Sequence, residues 1–298
     1  ARTLYGQLIT PASGGTLTAG TVATTFSGTG VGGSVPNGYY SNYFDGSSFL
    51  YGPANSATPM EASSTYTIEG WFYLTAQGGG TVNTISGFAC TTPAVLTTTN
   101  SHGWGFYNST QLAITQNSSA SYNFVTITGG FTLNTWFHMA IVSNGTGGTV
   151  YMNGINSGTW SDATTWVSNN SYVLGVGALS GTTQRFSGYI SNLRFVSGSR
   201  VYTSNFIPSS VALTAIANTS LLTCQSSTFI DNSTNNFTIT ISGSPVVSSS
   251  VEPLLNSVLF NGTSGFLQVP TNAAFAFGTG DFTVEAWVYF TGYFSVYV

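Results

Sequence analysis

Short runs of alternating apolar and polar residues recur along the chain. In residues 66–74, Tyr66, Ile68, Gly70, Phe72 and Leu74 fall on one face, and Thr67, Glu69, Trp71 and Tyr73 on the other. That is the period of a strand. The run is rich in β-branched and aromatic residues and contains no Pro. Similar strand-like runs follow at 81–90, 104–107, 111–116, 124–128, 136–142, 149–152, 172–176 and 189–196, separated by Gly, Asn and Ser clusters. Asn153-Gly154 predicts a hairpin turn, because both residues tolerate positive φ. No segment sustains a helical period. Many short strands at a spacing of roughly ten residues predict an all-β sandwich.

The pattern at 66–74 occurs a second time. Phe282, Val284, Ala286, Val288 and Phe290 repeat the apolar face with changes, while Thr283, Glu285, Trp287 and Tyr289 repeat the other face unchanged. The offset is 216 (285 − 69), and Phe44-Asp45-Gly46 and Phe260-Asn261-Gly262 share it (260 − 44). Two matches in one register predict a tandem repeat of a domain. The expected organisation is a linker or closing end of an upstream unit at 1–37, a β-sandwich at 38–250, and an incomplete second repeat at 251–298. Val298 corresponds to position 82 of the first copy (298 − 216). Two strands alone are marginal in water, so 282–290 is expected to pair with further chain or with another part of an assembly. The unchanged face has two readings. It is a ligand-facing surface with a carboxylate and stacking rings, or a second packed layer in which Glu69 is satisfied by a neighbouring strand.

Composition narrows the classes. Only 4% of the 298 residues are charged, against ~25% in ordinary soluble domains. There is no Lys, and the four basic residues are Arg2, Arg185, Arg194 and Arg200. The surface must be built from Ser, Thr, Asn and Gly, which suits an extracellular or particle-bound protein held in an assembly. A net charge of −4 with so few cations argues against nucleic-acid binding. No apolar run is long enough to insert into a membrane. Cys90 and Cys224 form one disulfide or remain two buried thiols; spacing does not decide between them.

The ordered motifs Phe44-Asp45-Gly46, Thr67-Ile68-Glu69-Gly70-Trp71, Trp136-Phe137-His138-Met139-Ala140-Ile141-Val142, Val150-Tyr151-Met152-Asn153-Gly154 and Phe186-Ser187-Gly188-Tyr189-Ile190-Ser191-Asn192-Leu193-Arg194 resemble the laminin-G-like, concanavalin-A-like jelly-roll domains. Val201-Tyr202-Thr203-Ser204-Asn205-Phe206-Ile207-Pro208 and Phe229-Ile230-Asp231-Asn232-Ser233 resemble, more narrowly, laminin-G-like repeats of virion proteins in marine and cyanobacterial tailed phages. The resemblance implies a non-enzymatic structural role in a virion, as a tail fibre, capsid fibre or decoration protein. Its partners would be other virion proteins or copies of itself. The alternative is a carbohydrate-binding adhesin module on a bacterial or phage surface, contacting host glycans. The resemblance also places the 189–196 strand beside 66–74, so that Arg194 pairs with Glu69.

Candidate chemistry is sparse. Glycoside hydrolysis needs two carboxylates facing each other across a cleft, and Glu69 has Trp71 and Tyr73 at i+2 and i+4. The two histidines, His102 and His138, lack the spacing of a zinc site. His138 is expected to be structural and His102 a loop residue. Many laminin-G-like domains bind calcium, which needs six to eight oxygen ligands. Here the loop acids are scattered, with Asp162 the best single ligand, so no cofactor is expected. Trp160, Asp162 and Trp166 put two indoles and a carboxylate within seven residues. They form either a sugar-stacking platform or a lid folded over the sandwich. Trp104 and Tyr107 are further ring candidates in polar surroundings.

Overall fold

The computed structural model describes residues 40–53, 63–91, 102–115, 122–162, 174–179, 184–209 and 211–249, with short segments at 10–11, 18–20, 257–259, 267–268 and 278–281. Strands are numbered in chain order. One sheet runs β12 (Ile155–Ser161), β11 (Gly147–Met152), β10 (Trp136–Asn144), β5 (Thr65–Leu74), β14 (Ser187–Ser197), β3 (Ser41–Asp45) and β17 (Val246–Ser248), with β15 (Thr219–Thr223) also pairing β14. The other runs β16 (Thr240–Ser242), β4 (Phe49–Tyr51), β13 (Gly175–Val176), β6 (Ser86–Cys90), β7 (Gly103–Phe106), β8 (Gln111–Thr115) and β9 (Tyr122–Thr126). The pairings are antiparallel, and the two sheets form a jelly-roll sandwich.

β5 lies at the centre of the larger sheet, between β10 and β14. Its apolar face is the core: Ile68 and Phe72 are 1% exposed and Leu74 is fully buried. Phe72 gathers Phe88, Phe106, Phe137 and Phe186 at centroid distances of 4.9, 5.7, 6.1 and 6.3 Å. Burying rings of this size supplies most of what drives the sheets together. The turn at Asn153-Gly154 has φ of 49° and 79°, as a two-residue hairpin between right-twisted strands requires.

Three local expectations are corrected. Residues 82–84 are a single 3-10 turn rather than strand. The Thr84 hydroxyl accepts from the amides of Gly79 (3.1 Å) and Thr81 (3.2 Å), offering the backbone an alternative to a ladder. Trp104 is not in a polar loop: it is buried in β7 and its Nε1 donates to the Tyr66 hydroxyl at 3.1 Å. Trp160 lies in β12 opposite Gly148, whose missing side chain leaves room for the indole. Cys90 and Cys224 are both buried and are not joined in a disulfide, and burial raises the Cys224 pKa.

The chain divides into two compact units, 21–256 and a smaller one made of 1–20 with 257–298. In the smaller unit β1 (Thr10–Pro11) pairs β19 (Leu267–Gln268), and β2 (Thr18–Gly20) pairs β18 (Ser257–Leu259), both antiparallel. The 282–290 strand expectation lies outside the described residues.

Candidate functional site

The outer face of the larger sheet is organised in rows, each crossing neighbouring strands in register. One row holds Tyr43, Tyr189, Tyr73 and Trp136, contributed by β3, β14, β5 and β10. The next holds Ser191, Trp71 and His138, and the one after it Arg194, Glu69 and Ala140. The unchanged face of the repeat is therefore split between two fates.

The Glu69 half is packed. Glu69 Oε1 accepts from Arg194 Nη2 at 2.5 Å and from Arg194 Nε at 3.0 Å. Its Oε2 accepts from the Tyr202 hydroxyl at 2.7 Å and lies 3.5 Å from His138 Nε2. Residues 199–209 and 211–216 lie over this face. The Thr67 hydroxyl donates to the Ser199 carbonyl at 3.0 Å, and Arg194 Nη1 donates to that of Thr214 at 2.8 Å. Tyr202 and Phe206 stack at 3.5 Å and cover Ala140, Val142 and Tyr151. Burial alone would raise the Glu69 pKa. The hydrogen bond from His138, the charges of Arg194 and His138, and the Tyr202 hydroxyl outweigh it and hold the carboxyl below its ordinary value. Burial and the facing carboxylate push the Tyr202 hydroxyl up. His138 is 1% exposed and packs edge-on against the Trp71 ring. His102 lies outside the strands but is fully buried too, its amide donating to the Thr91 hydroxyl.

A bulge makes this pairing possible. Ser191 stands opposite Trp71 and Arg194 opposite Glu69, so Asn192 and Leu193 together face Gly70. The extra residue inverts the alternation of β14 beyond that point. Without it Arg194 would point into the core. Asn192 takes the left-handed conformation, φ 51°. Its Oδ1 accepts from the Leu213 amide at 2.9 Å, anchoring the covering segment to the bulge.

The other half is less deeply buried. Tyr43, Trp71, Tyr73, Trp136 and Tyr189 are all half-buried. Centroids are 4.9 Å apart for Tyr43–Tyr189, 5.6 Å for Tyr73–Tyr189 and 5.6 Å for Tyr73–Trp136, with planes tilted by 45°, 87° and 60°. Such edge-to-face contacts hold each ring against its neighbour. Among the described residues, these tyrosine hydroxyls and indole N–H groups have no hydrogen-bond partner. Burial, then the neighbouring Tyr43 and Tyr73, push the Tyr189 hydroxyl up. Asp45 borders the patch, opposite Ser187. Hydrogen bonds from the hydroxyl and amide of Ser47 and from Ser48 lower its pKa to about 2.

The residues singled out from sequence lie elsewhere. Trp160 is 9% exposed and belongs to the core, so its ring is not offered to solvent as a platform. Asp162, 8% exposed, accepts from Asn123 Nδ2 at 2.6 Å. Trp166 lies outside the described residues. Among the described residues no three His, Cys, Asp or Glu side chains gather as a metal site. No helix among the described residues is long and apolar enough to cross a membrane.

The family model for the concanavalin A-like lectin/glucanases superfamily, of laminin G type, matches residues 44–203, more than half of the chain. The chain belongs to this superfamily. Similar solved structures include a heptameric SAP-like pentraxin from Limulus polyphemus, at 12% identity and TM-score 0.44, covering 70% of this chain and 96% of that one. A candidate carbohydrate-binding protein from Bacteroides ovatus is 13% identical with TM-score 0.49; the alignment covers 72% of this chain and 60% of that one. The CBM40 of a Ruminococcus gnavus sialidase, bound to α2,3-sialyllactose, is 10% identical with TM-score 0.42, covering 56% of this superfamily member and 95% of the module. No curated protein sequence matches the chain.

Proposed function

We propose that the large domain is a carbohydrate-binding module whose glycan contact is the patch of Tyr43, Trp71, Tyr73, Trp136 and Tyr189. The observation that carries this reading is the row of four half-buried rings, brought into one register from four strands on the outer face of the sheet. An aromatic cluster on an outer sheet face that keeps part of its area in water is a candidate binding surface. Rings with polar tips suit a sugar, which offers C–H bonds on its faces and hydroxyls at its rim. The five patch residues carry no charge and Asp45 lies at the border, so the ligand is a neutral rather than an anionic glycan. Membership of a lectin and glucanase superfamily supports a sugar ligand. Binding is favoured over hydrolysis because the Glu69 carboxylate is already engaged by Arg194 and Tyr202. The test is a glycan array with the full chain, followed by titration of Trp136→Ala and Tyr189→Ala. Neutral glycans are expected to bind, with a loss of tenfold or more in each variant, about 1.4 kcal/mol. A silent array, or unchanged binding in correctly folded variants, overturns the reading.

A second reading, a virion structural protein, is supported by the charge-poor composition and the 216-residue repeat. Mass spectrometry of purified particles tests it: the chain is present in stoichiometric amount or the reading fails.

A further inference from the structure

In the large domain, Ser41, Asn42 and Tyr43 pair with Ser248, Val247 and Val246. The 216-residue shift turns the first three into Ser257, Val258 and Leu259, and these pair with Gly20, Ala19 and Thr18. The second contact agrees. Tyr51 pairs with Thr240; its repeat equivalent Leu267 pairs with Pro11. β1 and β2 therefore occupy the place that the two strands of the closing segment, β16 and β17, occupy in the large domain. The spacing between the two contacts is one residue longer, 18 − 11 against 246 − 240. A Ser-Gly pair lies between them in both, Ser13-Gly14 and Ser242-Gly243.

That segment has a defined task. β16 and β17 are the end strands of the two different sheets, so one short stretch covers both edges. An uncovered edge exposes a row of N–H and C=O groups and recruits another strand. In this chain the closing stretch precedes the large domain and the edge it fits follows it. Complementary halves placed on either side of a domain pair within one chain, as they do in this structure, or between successive copies. Both forms make the same backbone contacts, so effective concentration decides between them. The 20 residues between Gly20 and Ser41 reach at most roughly 65 Å, ample for the segment to leave its own chain.

We propose that residues 10–20 are an exchangeable closing segment that completes the 257–268 edge of a second copy, joining chains head to tail. The inference is independent of any sugar ligand. The test uses full chains carrying Ala19→Cys alone, Val258→Cys alone, or both, since these positions are Cα partners. The single variants are unfolded together, refolded at about 1 mM, where intermolecular pairing competes with a tethered segment, and oxidised. Mixed dimers, mapped by mass spectrometry to positions 19 and 258, are expected. Cross-linking inside the double variant with none in the mixture leaves a purely intrachain contact and overturns the proposal. No cross-link in either removes the register itself and overturns it as well.

Discussion

Arg194 stands directly opposite Glu69 on the neighbouring strand, and its Nη2 donates to Oε1 at 2.5 Å within a site 1–5% exposed. A buried pair behaves asymmetrically: removing one partner strands the other charge, whereas removing both does not. Glu69→Leu and Arg194→Met are each expected to cost about 3–5 kcal/mol. The double variant Glu69→Leu/Arg194→Met is expected to recover most of that loss. Urea unfolding of the four proteins gives the comparison; additive losses in the double variant would contradict the pairing.

The same carboxylate sets an acid limit. Its pKa is lower in the folded chain than the ordinary 4.5. The folded state therefore binds fewer protons than the unfolded one as pH falls below that value. The stabilisation is complete above about pH 4.5 and is lost as pH drops through the folded-state pKa. Wild type is expected to lose stability on acidification in this window, and Glu69→Gln to show a shallower slope. Parallel Tm–pH curves for the two would place the acid sensitivity in another group.

Asn42 is fully buried, and neither its Nδ2 nor its Oδ1 has a partner among the described residues. Its register partner Ile190 lies in the core, so the amide faces apolar side chains. The repeat carries Val258 at the equivalent position (258 − 42 = 216). Asn42→Val removes an unsatisfied polar group worth about 1–3 kcal/mol. Tm is expected to rise by roughly 2–4 °C per kcal/mol, read by calorimetry; a fall would show that the amide is used.

Asn192 holds the bulge at φ 51°, a conformation open to Gly and strained for β-branched residues. Asn192→Val is expected to cost about 1–3 kcal/mol more than Asn192→Gly. Chemical denaturation of both variants decides. Equal stabilities would mean that the backbone relaxes the bulge without penalty.

How far the fold was legible depended on where its information lay. The alternation at 66–74, the Asn153-Gly154 turn and the antiparallel sandwich follow from local pattern, and each is present. The pairing of Glu69 with Arg194 was reachable through the family resemblance, which set the strand that carries Arg194 beside 66–74; the rarity of cations only singled that residue out. The bulge was not, because Asn192 reads like any polar strand position until its opposite residue is known. Trp160 was misplaced since Asn156, Ser157, Gly158 and Thr159 around it read as loop. Only the glycine across the hairpin reveals its pocket. The aromatic row was half visible: Trp71 and Tyr73 lie on the repeated face. Their partners come from positions 43, 136 and 189, joined by register alone.

The row crosses the strands instead of running along one, so it inherits the coil of the sheet. Neighbouring strands rotate by roughly 20–25°, and three strand gaps separate Tyr43 from Trp136. Orientation thus turns by roughly 60–75° from one end to the other. A rigid planar molecule can lie flat against only one ring, since neighbouring planes are tilted by 45°, 87° and 60°. A jointed polymer can follow the turn, bending at each linkage. The proposed glycan contact is consequently expected to discriminate by chain length and flexibility, with a monosaccharide a poor competitor for an oligomer built from the same unit.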